Sequence, residues 1–418
     1  MPEFAPKLIT APGLTDIMET INVDRMREER AARARQALKK LGLPAMLVTS
    51  SPNIRYLNGY LHASHAMLDY ILFFADGDPV MFAHAGYYHA QPSYMPWIKN
   101  WRLARSWLGG ICGPEAMAKE VKLFSNGIKD ELKQRGLAKE KLGVSGFDES
   151  ALDGLHAAGL ATVDAYPVLL ESSKIKTIDE VACLKTVANM CDAGWLSVIA
   201  HARPGMTTAA VADRVRNDLF AIGVENARIA MFFGATPGAV YRGGGRNVRL
   251  NYGDIGYMPL CGTAFMGYNA CLYRTFVVGR KPNDKEKDMY KKVLDRLYPA
   301  IEATKIGNTT ADAAKAFDSV TKRKMKDEAE VLTIEFGHGI GIVALPGSPV
   351  GYSLPVVNRQ WSLEFPQPFE EGMVVAYESL EGEPGYGGVR LEHMVLVTKD
   401  GPQILDRFPG DEILVCGA

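Results

Sequence analysis

Residues 388–398 read Gly388-Val-Arg-Leu-Glu392-His-Met-Val-Leu-Val-Thr398, an apolar strand pattern with a carboxylate set in its middle. A second run, Gly372-Met-Val-Val-Ala-Tyr-Glu378, places another carboxylate at the end of a similar strand. A carboxylate buried in a sheet is costly unless it is paired, protonated or bound to a cation. Glu378 and Glu392 therefore each demand a partner. An ion pair with Arg390 or another arginine would answer for either one, and so would a proton or a metal ion. Upstream, Glu335-Phe-Gly-His338-Gly-Ile-Gly-Ile342 brackets an imidazole with glycines, where backbone and ligand can both come close.

A hairpin-like stretch runs from Gly253 to Phe276 and carries Cys271, Tyr273 and Thr275 on one face at a period of two. These side chains either line a cavity or pack a core. Arg242, Arg246 and Arg249 lie in a glycine-rich loop, which makes them a clamp for a substrate carboxylate or simply a solvated loop.

Around these motifs the pattern is mixed. Helical spacing over 24–41 leads into a strand at 44–49, and strands over 70–74 and 80–83 flank the turn Asp76-Gly77-Asp78-Pro79. A helix over 114–135 and a strand at 142–145 complete an α/β half. The chain turns polar near Ser172 and Lys174, and a long helix follows to about His201, so the domains are set at 1–172 and 173–418. The second half reads as α+β. Its helices fall near 208–222, 284–304 and 309–326, and its strands near 255–278, 331–336, 373–379 and 390–398.

Composition narrows the partners. The 418 residues carry 47 Lys and Arg against 48 Asp and Glu, so no net field draws in nucleic acid or an anionic membrane. Six cysteines without a C-x-x-C spacing read as reduced thiols. Neither a basic-then-apolar leader nor a bilayer-length apolar run is visible, so cytoplasmic residence is expected.

The motifs together resemble the family that includes creatinase, prolidase, Xaa-Pro aminopeptidase and methionine aminopeptidase. The likeness rests on Lys174-Ile-Lys-Thr-Ile-Asp-Glu180, Arg203-Pro-Gly-Met-Thr-Thr208, Tyr273-Arg-Thr-Phe-Val-Val-Gly279, Gly337-His-Gly-Ile-Gly341, Glu371-Gly-Met-Val-Val375 and Gly388-Val-Arg-Leu-Glu392. It implies an α+β "pita-bread" C-terminal domain behind an N-terminal α/β creatinase-type domain. It also implies a homodimer in which the region of His62 and His65 covers the partner's site; these histidines either gate or bind substrate there or are incidental residues of a surface loop.

Peptidases of this family hold two divalent metals with two Asp, one His and two Glu. His338, Glu378 and Glu392 match the last three, but the aspartate positions hold Cys271 and Leu260, or Pro259 with a different gap. The pattern is closest to creatinase-like members that lack those aspartates. Tyr273 stands where creatinase has a catalytic Glu and Tyr241 where it has a catalytic His, while Glu392-His393 matches its Glu-His pair.

Two cations about 3.5–4 Å apart need several anionic ligands. The leading expectation is therefore a metal-independent, creatinase-like hydrolase of a C–N bond, or a lyase, acting on a small polar substrate without cofactor. In that reading Glu378 and Glu392 face each other as a coupled acid and base beside His338. Tyr273 assists them, and Tyr241, Arg242, His62, His65 and Cys271 bind substrate. Two alternatives stand beside it: a mononuclear metalloenzyme using Cys271, His338, Glu378 and Glu392 as ligands, and a non-catalytic binding protein on the same scaffold.

Overall fold

The computed structural model describes residues 21–61, 68–241, 247–332, 334–344 and 351–417. The chain divides into two compact units. Of the described residues, the first comprises those of Val23–Ser173 with 342–344, and the second comprises 21–22, those of Lys174–Gly341, and 351–417.

Six strands form the sheet of the first unit: β1 (Ala45–Val48), β2 (Tyr70–Phe74), β3 (Val80–Ala83), β4 (Asn100–Leu103), β5 (Lys141–Ser145) and β6 (Ala161–Asp164). Their order is β4-β3-β2-β1-β5-β6. The β1–β2 and β2–β3 pairs are antiparallel, whereas β3–β4, β1–β5 and β5–β6 are parallel. β1, β2 and β3 are buried along their whole length, which is why they read as unbroken apolar runs. Helix Val23–Lys40 and helix Pro114–Gln134 match their sequence-expected spans within two residues. β4 and β6 carry mixed, partly exposed residues, so periodicity does not mark them.

The second unit opens with helix Ile178–His201, fixed by a capping box in which the Thr177 hydroxyl accepts from the Glu180 amide and the Glu180 carboxylate accepts from the Thr177 amide. Its strands are β7 (Phe232–Phe233), β8 (Ile255–Pro259), β9 (Thr263–Phe265), β10 (Tyr268–Ala270), β11 (Tyr273–Val278), β12 (Glu335–Ile340), β13 (Tyr352–Val357), β14 (Val374–Glu383), β15 (Gly387–Thr398), β16 (Gly401–Ile404) and β17 (Leu414–Cys416). The main sheet runs β13-β12-β14-β15-β11-β8-β7, with β16 on β15 and β17 on β11. Helix Asp284–Glu302 covers one face, packing Val293, Leu297 and Ala300 into a core with Val375, Tyr377, Val389 and Leu391. This is the α+β architecture expected of the C-terminal half.

Two expectations change. The single strand-like stretch over 255–278 is four strands, because Met266 and Gly267 both take positive φ (51° and 83°) and turn the chain between β9 and β10. The helix expected over 309–326 is two short pieces, Thr310–Ala314 and Val320–Arg323. Between them the Asp318 amide donates to the buried Glu335 carboxylate, and the Asp318 carboxylate pairs with Arg296 at 3.0 Å. Those bonds pull the backbone off a helical path.

Candidate functional site

β-pairing assembles the site. Glu378 on β14 lies directly opposite Glu392 on β15, Tyr273 on β11 lies opposite Glu392 from the other side, and His338 on β12 lies opposite Ala376. Because side chains alternate faces along a strand, Ala376 and Glu378 share a face, and His338 is brought to the same side as the two carboxylates. All of these groups are buried.

His338 Nδ1 is 3.0 Å from the Gly339 carbonyl oxygen. A carbonyl only accepts, so Nδ1 carries the proton and Nε2 presents a lone pair. That Nε2 is 4.0 Å from Glu392 Oε1, an oxygen with no hydrogen-bond donor among the described residues. The other oxygen, Glu392 Oε2, is 3.5 Å from Cys261 Sγ, and Cys261 Sγ is 2.7 Å from Cys271 Sγ. The glycines beside His338 leave no room for a side chain. A Cβ on Gly337 would strike the Tyr377 ring at 2.7 Å, and one on Gly339 would strike the Leu354 carbonyl oxygen at 2.1 Å. They serve close backbone packing and the register shift between His338 and Gly339.

The electrostatics are set mainly by burial. It raises the Glu392 carboxyl well above its ordinary value, reinforced by Cys261 and Glu378 and opposed by Arg390. It likewise raises the Cys271 thiol, with Cys261, Glu392 and Glu378 adding to the effect. Glu378 is not the second half of an isolated carboxyl pair: its Oε2 is 2.5 Å from Arg390 Nη2. The Arg390 guanidinium sits over the Tyr273 ring at 4.2 Å and near the Tyr257 ring at 5.9 Å. The coupled acid–base pair expected from the sequence is thus altered by an arginine lodged against one member.

A second buried network underlies the first. Arg274 Nη1 donates to the Glu392 carbonyl, Arg274 Nη2 pairs with Asp406 at 2.6 Å, and His393 Nδ1 meets the same Asp406 oxygen at 2.6 Å. His393 occupies the opposite face of β15 from Glu392, as strand alternation requires.

Of the residues singled out in the sequence, His338, Glu378, Glu392, Tyr273 and Cys271 converge. Tyr241 is half exposed and opens onto a separate cleft of about 910 Å³ bounded by Lys292, Arg296, Asp318 and Glu381. Arg242, His62 and His65 lie outside the described residues. Sequence reading missed Cys261. Leu260 N donates to Leu272 O and Gly262 N to Ala270 O, which sets Cys261 opposite Cys271. β8 and β11 pair Pro259 with Tyr273, whereas β9 and β10 pair Thr263 with Ala270. The Cys261–Cys271 pair keeps the β8–β11 register, and the one-residue slip into β9–β10 falls just beyond it.

The donors present suit a single metal ion. Cys261 Sγ, Cys271 Sγ and a Glu392 oxygen all lie within 4.8 Å of one another, and His338 Nε2 stands outside that group, 4.0 Å from Glu392 Oε1. Two sulfurs, an oxygen and an imidazole are a set that zinc accepts. A pair of ions does not fit, because Glu378 already faces a guanidinium and Leu260 supplies no donor. The Leu260 side chain instead packs against Gly194 of helix Ile178–His201, its Cδ1 lying 2.7 Å from where a Cβ on that glycine would be.

The fold is that of the two-domain pita-bread hydrolases, with a creatinase-type α/β domain ahead of the catalytic module. Residues 182–399 match metallopeptidase family M24 and residues 30–170 match the creatinase/prolidase N-terminal domain, so the chain belongs to the M24 family, hydrolases of peptide C–N bonds. It is similar to the Xaa-Pro dipeptidase of Pyrococcus horikoshii, with 24% identity over 91% of this chain and 97% of that one. Among solved structures it is similar to the Xaa-Pro dipeptidase of Bacillus anthracis (TM-score 0.73, 22% identity, 93% and 99% of the two chains). Dipeptidase PepE of Mycobacterium ulcerans is comparable (TM-score 0.71, 23% identity, 94% and 99%). These findings overturn the expectation of a metal-independent, creatinase-like hydrolase or lyase: the family is one of metallopeptidases and the named relatives are dipeptidases. No helix among the described residues is long and apolar enough to cross a membrane.

Proposed function

We propose that this chain is a metal-dependent hydrolase of small peptide substrates, of the Xaa-Pro dipeptide type named for its relatives, working with one divalent ion. The observation that carries the reading is the donor set of Cys261, Cys271 and Glu392, buried beside His338 Nε2. Such a set has no structural reason to stay polar, since burying sulfur and carboxylate together without a cation leaves Glu392 Oε1 unsatisfied.

When bound, the ion would polarise the scissile carbonyl and lower the pKa of a water molecule. The chain does the rest. Gly339 holds the His338 ring so that Nε2 faces Glu392, and Glu392, whose carboxyl burial makes strongly proton-retaining, would be one of the groups holding the ion. Arg390, lying over the Tyr273 ring, pairs with Glu378 and fixes that side chain at the edge of the site. Water adds to the carbonyl carbon, the C–N bond breaks, and the proton from water leaves on the amine.

The test is an assay of Xaa-Pro and other dipeptides with the whole protein before and after chelation. Hydrolysis that stops on chelation and returns with zinc or cobalt is expected. Turnover indifferent to the chelator, or no cleavage of any dipeptide by metal-loaded protein, would refute the reading.

A further inference from the structure

We infer that this site takes one thiophilic divalent ion on Cys261, Cys271 and Glu392, with His338 approaching from beside Glu392, and that Arg390 supplies a further positive charge as a fixed side chain. The inference deepens the proposed function and rests on it. Two sulfurs set the preference. Thiolates favour zinc, iron or cobalt over manganese or magnesium, which seek oxygen. The sulfurs do not meet by a chance rotamer: the hydrogen bonds from Leu260 to Leu272 and from Gly262 to Ala270 place the two cysteines opposite each other.

The pairing of Glu378 then decides the number of ions. Two thiolates, Glu392 and Glu378 bring four negative charges into a buried space, and one divalent ion answers only two. Arg390 adds a third positive charge in direct contact with Glu378. Its guanidinium cannot swing away. It lies over the Tyr273 ring, and its backbone is clamped by Thr275, whose Oγ1 accepts from the Arg390 amide at 2.8 Å and donates to the Arg390 carbonyl at 2.8 Å. A second ion approaching Glu378 would meet this guanidinium and find Leu260 turned away toward Gly194. Arg390 is thus a positioning residue that holds Glu378 neutralised without metal.

The experiment is metal analysis and absorption spectroscopy of the whole reduced protein loaded in turn with zinc, cobalt and manganese. One equivalent of zinc or cobalt, little manganese, and a sulfur-to-cobalt charge-transfer band are expected. Cys261→Ser and Cys271→Ser should each weaken that band, Cys112→Ser should leave it intact, and Glu378→Gln should keep one equivalent and the band. Two equivalents of cobalt or manganese without the band, or loss of the ion in Glu378→Gln, would overturn the inference. Circular dichroism of each variant separates ligand loss from misfolding, and Glu378→Gln still decides between one ion and two if a cysteine variant does not fold. The readouts need no turnover. One ion with the band but no dipeptide cleavage sinks the function and spares the site, whereas chelator-sensitive cleavage with two ions and no band does the reverse.

Discussion

Arg390 Nη2 stands 2.5 Å from Glu378 Oε2, and neither side chain reaches solvent. A buried pair of this kind is costly to break from one side, because the surviving charge has no water to turn to. It is much cheaper to remove whole. The same contact explains why two carboxylates directly opposite each other on β14 and β15 coexist in an apolar sheet.

Arg390→Met should therefore destabilise the protein by about 3–5 kcal/mol, since it strands Glu378. The double variant Arg390→Met with Glu378→Met should recover most of that loss. Urea unfolding of the wild type, both single variants and the double variant checks this. A double variant as unstable as Arg390→Met alone would show that the two side chains do not act as a pair.

Tyr273 offers Arg390 a ring face at 4.2 Å, and a desolvated cation–π contact is worth about 2 kcal/mol. Tyr273→Phe keeps that face and should lose only about 1 kcal/mol, from the hydroxyl. Tyr273→Ala removes the face and leaves a cavity, and should lose about 3–5 kcal/mol. Thermal unfolding of the two variants decides it, and equal losses would mean that the hydroxyl rather than the ring matters.

The strands of this site were legible because burial on both faces makes them short, nearly continuous apolar runs, as in Val374–Tyr377 and Met394–Val397. The demand for charge partners at Glu378 and Glu392 was also legible, and Arg390 stood among the partners considered. What could not be read was which partner each carboxylate takes, because that depends on the geometry of three adjoining strands. Cys261 escaped because it lies in the link just past β8, where only the continuation of the β8–β11 register, and no apolar pattern of its own, puts it across from Cys271. Asp406 escaped because it follows β16, in a stretch with no pattern that separates it from an ordinary surface turn.

The layer beneath the site predicts opposite pH slopes from two aspartates. Burial would raise the Asp406 carboxyl, but His393 and Arg274 outweigh it and hold the group far below its ordinary value of 3.8. Its contribution is full above that value and is lost as pH falls toward the folded-state pKa. Asp192 is the reverse: burial, with Asp406 adding, pushes it up to about 6. The unfolded chain then gives up this proton earlier than the folded one, so stability falls as pH rises from about 4 to 6. Asp192→Asn should remove that fall and, after screening of its partly exposed carboxyl, gain about 1 kcal/mol at pH 7. Asp406→Asn should lose about 3–5 kcal/mol there by stranding Arg274. Urea midpoints from pH 3 to 8 check both slopes, and an Asp192→Asn curve with the same slope from pH 4 to 6 as the wild type would show that this carboxyl is not the cause.

The contact between Cys261 Sγ and Cys271 Sγ makes the metal-free protein the oxidisable form. With hydrogen peroxide as oxidant, two thiols would lose their hydrogens, a sulfur–sulfur bond would form, and two molecules of water would leave. The thiolate is the reacting species. Since burial holds the Cys271 thiol well above its usual value, the reaction should be slow at pH 7 and quicken as pH rises. A bound ion would occupy both sulfurs and protect them. Peptide mass analysis should find a loss of two hydrogens in the fragment that spans both cysteines, reversed by dithiothreitol and suppressed by prior zinc loading. Cys191, a buried neighbour of Cys261 whose own thiol burial raises, is the competing partner. A crosslink from Cys191, or equal oxidation with and without zinc, would mean that the ion and the disulfide do not compete for the same two sulfurs.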